Sequence, residues 1–196
     1  MAKFGDYVGL YHPSETIEAK KLYESAIMPT RGSEYAAGLD LYACGYENNM
    51  TDGTDWSVFV NPGDTIKINT GIAVAIPELH FGGIYARSGL ACKNGLAPAN
   101  KVGIIDSDYR GELIVCLYNQ SSVPQKVSKG DRIAQLIIQA YVDVELVECE
   151  KLDETERGEG GFGSTGMNVE SSDMTVSIQN LDIYDDLGEG KLCSES

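Results

Sequence analysis

Three stretches of the chain carry side chains whose types and spacing can do chemistry. In the first, Asp106-Ser107-Asp108-Tyr109 separates two apolar runs, residues 102–105 and 113–117, with Gly111 close behind. That pattern predicts a β-hairpin or a tight strand–turn–strand. Asp106 falls where the first strand ends, with Tyr109 just across the turn. A hairpin opened by its turn presents unpaired main-chain donors and acceptors to the polar rim of a planar base. The plainer alternative is that both aspartates only form the turn and Tyr109 is a rim aromatic. In the second stretch, Ser88 is a good N-cap for a short helix, and Gly95 suits its C′ position. Arg87 and Ser88 at that helix start make an anion site together with main-chain N–H groups and the helix dipole. An ordinary capped helix with a surface arginine is the alternative. The third stretch, residues 157–166, is dense enough in glycine for its backbone to pass close to phosphates. Its Arg157, Phe162, Ser164 and Thr165 are side chains that a plain linker would lack.

Composition narrows the partners of these groups. Thirty Asp and Glu against fifteen Lys and Arg give a formal net charge of −15 over 196 residues. Such a balance argues against a general surface for nucleic acid or anionic membrane. An acidic protein that handles phosphates must gather its few arginines locally. The five are Arg31, Arg87, Arg110, Arg132 and Arg157, and most fall inside the stretches of interest. Cys44, Cys92, Cys116, Cys149 and Cys193 are scattered without a Cys-x-x-Cys spacing, and residues 1–9 carry no signal-peptide pattern. They predict free thiols in a reducing, intracellular compartment, cytoplasmic or nuclear. His12 and His80 show no arrangement that favours a catalytic cysteine, and no apolar run approaches membrane-spanning length.

The elements that must position these groups read mainly as strands. Residues 1–19 form an N-terminal arm; residues 19–27 have the composition of a short helix, but Lys21-Leu22-Tyr23 can equally open a first strand, which is the reading preferred. After the loop Pro29-Thr30-Arg31-Gly32-Ser33, Leu39 and Leu41 alternate with Asp40 and Tyr42 as in a half-buried strand. Residues 45–55 read as an exposed loop. Strands follow at 58–62 and 64–68, divided by Pro62-Gly63, and at 72–76, with Gly71 as a bulge position. Beyond the turn Gly130-Asp131-Arg132, residues 133–140 form a strand with Ala134, Leu136 and Ile138 on one face and Gln135 on the other. Val142, Val144 and Leu146 alternate with acids as an edge strand with one wet face. Strands at this spacing, without long helical periods, predict an all-β sandwich, barrel or jelly roll. The chain then divides into the arm 1–19, a β core 20–156, the Gly-rich segment 157–166 and an acidic extension 167–196, expected to be largely disordered.

Five segments, residues 37–43, 87–95, 100–119, 130–137 and 157–166, stand in the order of the five motifs of the trimeric deoxyuridine triphosphate nucleotidohydrolases (dUTPases). Over residues 20–166 the chain closely resembles that family. The resemblance implies a jelly-roll-like subunit of the β-clip type with one short helix and a flexible C-terminal arm. It also implies a homotrimer with active sites at subunit interfaces. The implied reaction is hydrolysis of dUTP to dUMP and pyrophosphate by water attack on the α-phosphorus, which lowers dUTP and supplies dUMP for thymidylate synthesis. Asp106 matches the carboxylate that orients and deprotonates that water. Tyr109 matches the aromatic that packs on the deoxyribose and leaves no room for a 2′-hydroxyl. Asn100, Gly103, Ile104 and Ile105 match the uracil-reading edge. Arg87, Ser88 and Gly89 match the phosphate-binding turn, with Ser88 stabilising charge on the oxygen that bridges the α- and β-phosphorus. Gln135 matches a polar contact near the phosphates. In the arm, Phe162 matches the cover over uracil, with Gly163 beside it, and Arg157 and Ser164 match the γ-phosphate contacts. Mg2+ is implied on the triphosphate oxygens and waters, without a direct protein ligand. Asp40 matches the first motif's acid, in an outer-sphere or structural role.

The chain departs from the family pattern in two places. Ala86 stands where many members have Pro, which loosens the turn, and the chain continues for thirty residues past the Gly-rich motif. A dCTP deaminase, or a bifunctional deaminase and dUTPase, is the rival on the same fold. Those enzymes need a base-side glutamate, whereas the Asp106 and Tyr109 pair follows the dUTPase pattern. A non-catalytic regulator would be free to lose Asp106 or Arg157, and both are present.

Overall fold

Thirteen short strands and one helix of seven residues form the described part of the chain, residues 16–47 and 55–161 of a computed structural model. The larger sheet contains β2 (Thr30–Arg31), β3 (Leu39–Tyr42), β8 (His80–Tyr85), β10 (Gly103–Ile105) and β13 (Arg132–Ala140), in the order β10-β8-β13-β3-β2. The smaller contains β4 (Gly45–Tyr46), β6 (Thr65–Asn69), β9 (Leu96–Pro98) and β11 (Ile114–Asn119), in the order β4-β6-β11-β9. Two ribbons pair β1 (Glu18–Lys21) with β7 (Ile72–Ala75), and β5 (Ser57–Val60) with β12 (Gln125–Ser128). The helix α1 (Ser88–Asn94) leaves the end of β8 and stops at Gly95, whose φ of 70° is the left-handed cap expected there.

One core serves both sheets. Along β11, Val115 and Leu117 are buried while Ile114 is exposed, the alternation of a strand with one covered face. Ile66 and Ile68 of β6 join them, as do Leu41, Ile84, Ala134 and Leu136 from the larger sheet. Each fully buried Leu or Ile contributes about 1.5–3 kcal/mol relative to leaving it in water.

The sequence expectations fail where strand partners are chosen over long range. The stretch 100–119 is not a hairpin: β10 pairs with β8 in the larger sheet, and β11 pairs with β6 and β9 in the smaller. Residues 106–113 therefore cross from one sheet to the other. Their far end is fixed by Leu113, fully buried, whose N–H donates to the Ile72 carbonyl at 2.8 Å and whose carbonyl accepts the Thr70 hydroxyl at 2.7 Å. Gly71 is the turn between β6 and β7 rather than a bulge within a strand. The exposed loop expected over 45–55 opens with β4 instead, because the Tyr46 ring packs on Trp56 at 5.0 Å and Gly45–Tyr46 adds to β6. No strand forms over 141–149: Val142 is 82% and Leu146 93% exposed. The preceding strand β13 is already flanked by β3 and β8, so the segment that follows it finds no edge there to join.

Packing divides the chain after Glu145. In the second unit the described residues, 146–161, form neither helix nor strand. The Gly-rich segment opens there with a turn, in which Arg157 Nε donates to the Gly160 carbonyl at 2.7 Å. Most of the N-terminal arm, and the extension at 167–196, lie outside the described residues. Among the described residues no helix is long and apolar enough to cross a membrane, and Cys44, Cys92, Cys116 and Cys149 are free thiols.

Candidate active site

Strand register brings one polar cluster together. Gln135 of β13 stands opposite Asp40 of β3 on one side and Tyr85 of β8 on the other, so all three side chains share a face of the larger sheet. Asp40 is only 9% exposed, which an unpaired carboxylate would not tolerate. Two guanidiniums compensate it: Arg87 Nε donates to Oδ1 at 2.8 Å, and Arg132 Nη1 donates to Oδ2 at 3.2 Å. Arg87 Nη1 also donates to the Arg132 carbonyl at 3.1 Å. Gln135 Nε2 donates to the Ala86 carbonyl at 2.9 Å and so holds the turn that Arg87 belongs to. Glycine is required at position 38, because a Cβ there would lie 2.5 Å from Gln135 Oε1. Two cations against one anion leave this patch positive in a chain of net charge −15, and no described residue takes the remaining donors of Arg87. An arginine with three free N–H groups at its end is suited to an oxyanion.

The helix start differs from the expectation. Ser88 is not the N-cap; Arg87 is, with φ −85° and ψ 124°, and no side chain caps the helix. The reason is that Arg87 is still extended as it leaves β8, so the first helical residue is Ser88. Its hydroxyl and the exposed Gly89 backbone are left facing solvent beside the positive patch.

The base-reading groups sit elsewhere. As the outermost strand of its sheet, β10 leaves half of its main-chain N–H and C=O groups pointing away from β8. Gly103 packs closely on the Asn100 amide, whose Nδ2 is 3.3 Å from where a Cβ would be. Ile104 is 57% exposed and lines a cleft of about 570 Å³ together with His80, Phe81, Asp106, Ser107, Asp108 and Tyr141. The loop after Asp106 is tightly internally bonded. Tyr109 N–H donates to the Asp106 carbonyl at 3.1 Å, and its hydroxyl to the Glu112 carbonyl at 3.0 Å. The Tyr109 ring lies over Gly111, where any Cβ would collide with it. Glu112 then accepts from Gly71 N–H at 2.7 Å and from Asn69 Nδ2 at 2.8 Å, tying the loop to the β6–β7 turn.

One chain does not bring the two clusters to one point. Ile105 is paired with Gly82, and Arg87 lies five residues further along the same extended run. At about 3.3 Å per residue that is roughly 16 Å, with Asp106 continuing in the opposite direction. Arg157 belongs to the second unit, and Phe162, Gly163 and Ser164 lie outside the described residues. Sequence reasoning assigned no role to Arg132 beyond a turn, nor any to Glu112, Phe81 or Tyr141. Only the position of Arg132 directly after Gly130-Asp131, within the fourth motif, hinted at its role. Glu112 and the cleft aromatics acquire theirs through pairing across the sheets.

This geometry can be set beside known proteins. The sequence profile of the dUTPase family matches residues 24–166. The deoxyuridine 5′-triphosphate nucleotidohydrolase of Syntrophotalea carbinolica is 46% identical over 151 residues, covering 77% of this chain and 97% of the relative. Among solved structures, a variant dUTPase of Staphylococcus bacteriophage 80alpha with dUpNHpp superposes with a TM-score of 0.68 at 28% identity, covering 78% of this chain and 99% of that one. A variant dUTPase from phage phi11 of S. aureus, described for its coordination of a structural Mg(II) ion, superposes with a TM-score of 0.58 at 26% identity, covering 70% and 98%. With the family pattern spanning both polar clusters and the strands between them, the chain belongs to the dUTPase family.

Proposed function

We propose that the chain hydrolyses dUTP to dUMP and pyrophosphate in a site shared between copies, with Asp106 preparing the water and Arg87 holding phosphate. Uracil lies along the free edge of β10, where Asn100 and the main chain of Gly103, Ile104 and Ile105 match its donors and acceptors. Tyr109, braced on Gly111, packs against the deoxyribose and closes the space a 2′-hydroxyl would need. The Asp106 carboxylate takes a proton from a water whose oxygen attacks the α-phosphorus. The bond from that phosphorus to the α–β bridging oxygen breaks, and the oxygen leaves with pyrophosphate. Ser88, Gly89 and Arg87 contribute donors where that oxygen gains charge. Gln135 acts there by holding the Ala86 turn, and Arg157, with Phe162, Gly163 and Ser164 beyond the described residues, is the part of the family pattern assigned to uracil and the γ-phosphate.

Mg2+ fits this arrangement on the nucleotide rather than in a protein cage, since the one buried carboxylate of the phosphate cluster, Asp40, is already engaged by two guanidiniums. Bound to the triphosphate, the ion supplies charge neutralisation of the leaving pyrophosphate.

The observation that carries the shared site is the separation of Asp106 from Arg87 along β8. That separation favours a site completed by a second copy, which a trimer with threefold closure would supply. Co-expression tests this. Asp106→Asn and Arg87→Ala should each be nearly inactive alone. Mixed oligomers carrying both, purified through two tags, should recover a sizeable fraction of wild-type turnover. Mixed oligomers as inactive as their parents would contradict the shared site.

A further inference from the structure

Asp40 lies among the groups assigned to the phosphates, yet each of its oxygens already receives a guanidinium N–H. We propose that Asp40 is a positioning residue, which fixes the Arg87 guanidinium so that its terminal nitrogens face the phosphates before substrate arrives. The proposal rests on the reading of Arg87 as a phosphate contact.

Geometry supports it at every joint. Asp40 sits in a strand flanked on both edges, by β13 and by β2, so its backbone is fixed. Arg132 holds its second oxygen, and the Arg132 carbonyl takes Arg87 Nη1 at 3.1 Å, so one residue braces both members of the pair. Of the five N–H groups of Arg87, these two contacts use the Nε proton and one Nη1 proton. The three that remain lie along the Nη1–Nη2 end, the fork geometry that suits two phosphate oxygens. An unheld arginine would sample many rotamers and lose that freedom on binding, whereas this one is set in advance. Asparagine at position 40 would keep the shape, but it leaves one oxygen for two guanidiniums and removes the negative charge that holds Arg87, whichever of the two its NH2 group faces.

The test compares Asp40→Asn, Arg87→Ala and the double variant with wild type. The readouts are dUTP turnover, binding of a non-hydrolysable dUTP analogue and of deoxyuridine, the Mg2+ concentration for half-maximal activity, and melting temperature. Asp40→Asn should lower kcat/KM for dUTP on the order of 100-fold, the scale of a misplaced contact group. Deoxyuridine, which has no phosphate, should bind within about twofold of wild type, and the double variant should match Arg87→Ala within about twofold. If Arg87→Ala turns over dUTP normally, the phosphate reading of Arg87 fails and the proposal with it. If Arg87→Ala is impaired but Asp40→Asn is not, only the positioning role is overturned. A shifted Mg2+ requirement in Asp40→Asn alone would assign Asp40 to the metal instead. Equal weakening of deoxyuridine and analogue would leave it a merely structural role. Should Asp40→Asn not fold, nitrogen-15 NMR of the wild-type protein decides. The Arg87 Nε proton should exchange slowly with and without the analogue, and release of that proton on binding would overturn the proposal.

Discussion

Replacing Glu112 tests whether the Asp106 loop is held in place from its far end. The carboxylate accepts from Gly71 N–H at 2.7 Å and from Asn69 Nδ2 at 2.8 Å, and it is half-buried. Hydrogen bonds to a charged group contribute about 1.5–3 kcal/mol each, and partial exposure favours the lower value, so Glu112→Ala should cost about 3 kcal/mol. Glu112→Gln keeps one acceptor but faces the other donor with an NH2 group, and should cost about 2 kcal/mol. For a domain of this size about 3 kcal/mol corresponds to a fall of roughly 6–12 °C in melting temperature at fixed protein concentration. Turnover should fall further than stability alone explains. Between Asp106 and Glu112 the loop is a bonded unit, through Tyr109 to the Glu112 carbonyl at 3.0 Å and Arg110 Nη1 to the Ser107 carbonyl at 2.6 Å. Freeing one end moves the carboxylate and the ring together, and a displacement of about 1 Å can cost on the order of 100-fold in rate. The assay is urea and thermal unfolding alongside dUTP turnover well below the melting range. If Glu112→Gln keeps both wild-type melting and wild-type turnover, this carboxylate does not hold the loop.

Tyr109→Ala should raise the ratio of specificity constants for UTP over dUTP, because the ring is the wall against a 2′-hydroxyl; an unchanged ratio would place sugar selection elsewhere. Gly38→Ala should lower turnover with a loss of about 1–3 kcal/mol in stability, since the new Cβ forces Gln135 off the Ala86 carbonyl; urea unfolding and kcat together check it. Removing residues 167–196 should leave activity and melting temperature largely intact, as that acidic segment has too little apolar content to join a core; a large loss of either would show it to be integrated.

Some of this was legible in the chain itself. Alternation of large with small or polar residues marked β3, β7 and β13, although each also buries neighbours on its other face: Asp40 beside Leu41, Ala73 between Ile72 and Val74, and Ile133 beside Ala134. Asp106, Tyr109, Arg87 and Ser88 stood out because their neighbours were turn and helix-start residues. The pairing of β10 with β8, and of β11 with β6, was not legible. Residues 100–119 read locally as a hairpin, and only the burial of Leu113 against Ile72 and Thr70 sends the two strands to different sheets. The Asp40–Arg87–Arg132 cluster was hidden for the same reason. Asp40 and Arg132 are 92 positions apart, and only the β3–β13 register joins them. Val142, Val144 and Leu146 show the opposite failure, since their alternation is real but the strand just before them, β13, is already flanked by β3 and β8.

The most direct test of the account is product formation across dUTP, dCTP, UTP and dTTP, with pyrophosphate, nucleoside monophosphate and ammonia measured together for wild type and Asp106→Asn. The account predicts pyrophosphate and dUMP in equal amounts from dUTP, little turnover of the other three, no ammonia from dCTP, and near-complete loss of product in Asp106→Asn with binding of a dUTP analogue preserved. Ammonia from dCTP, or undiminished pyrophosphate from Asp106→Asn, would contradict it.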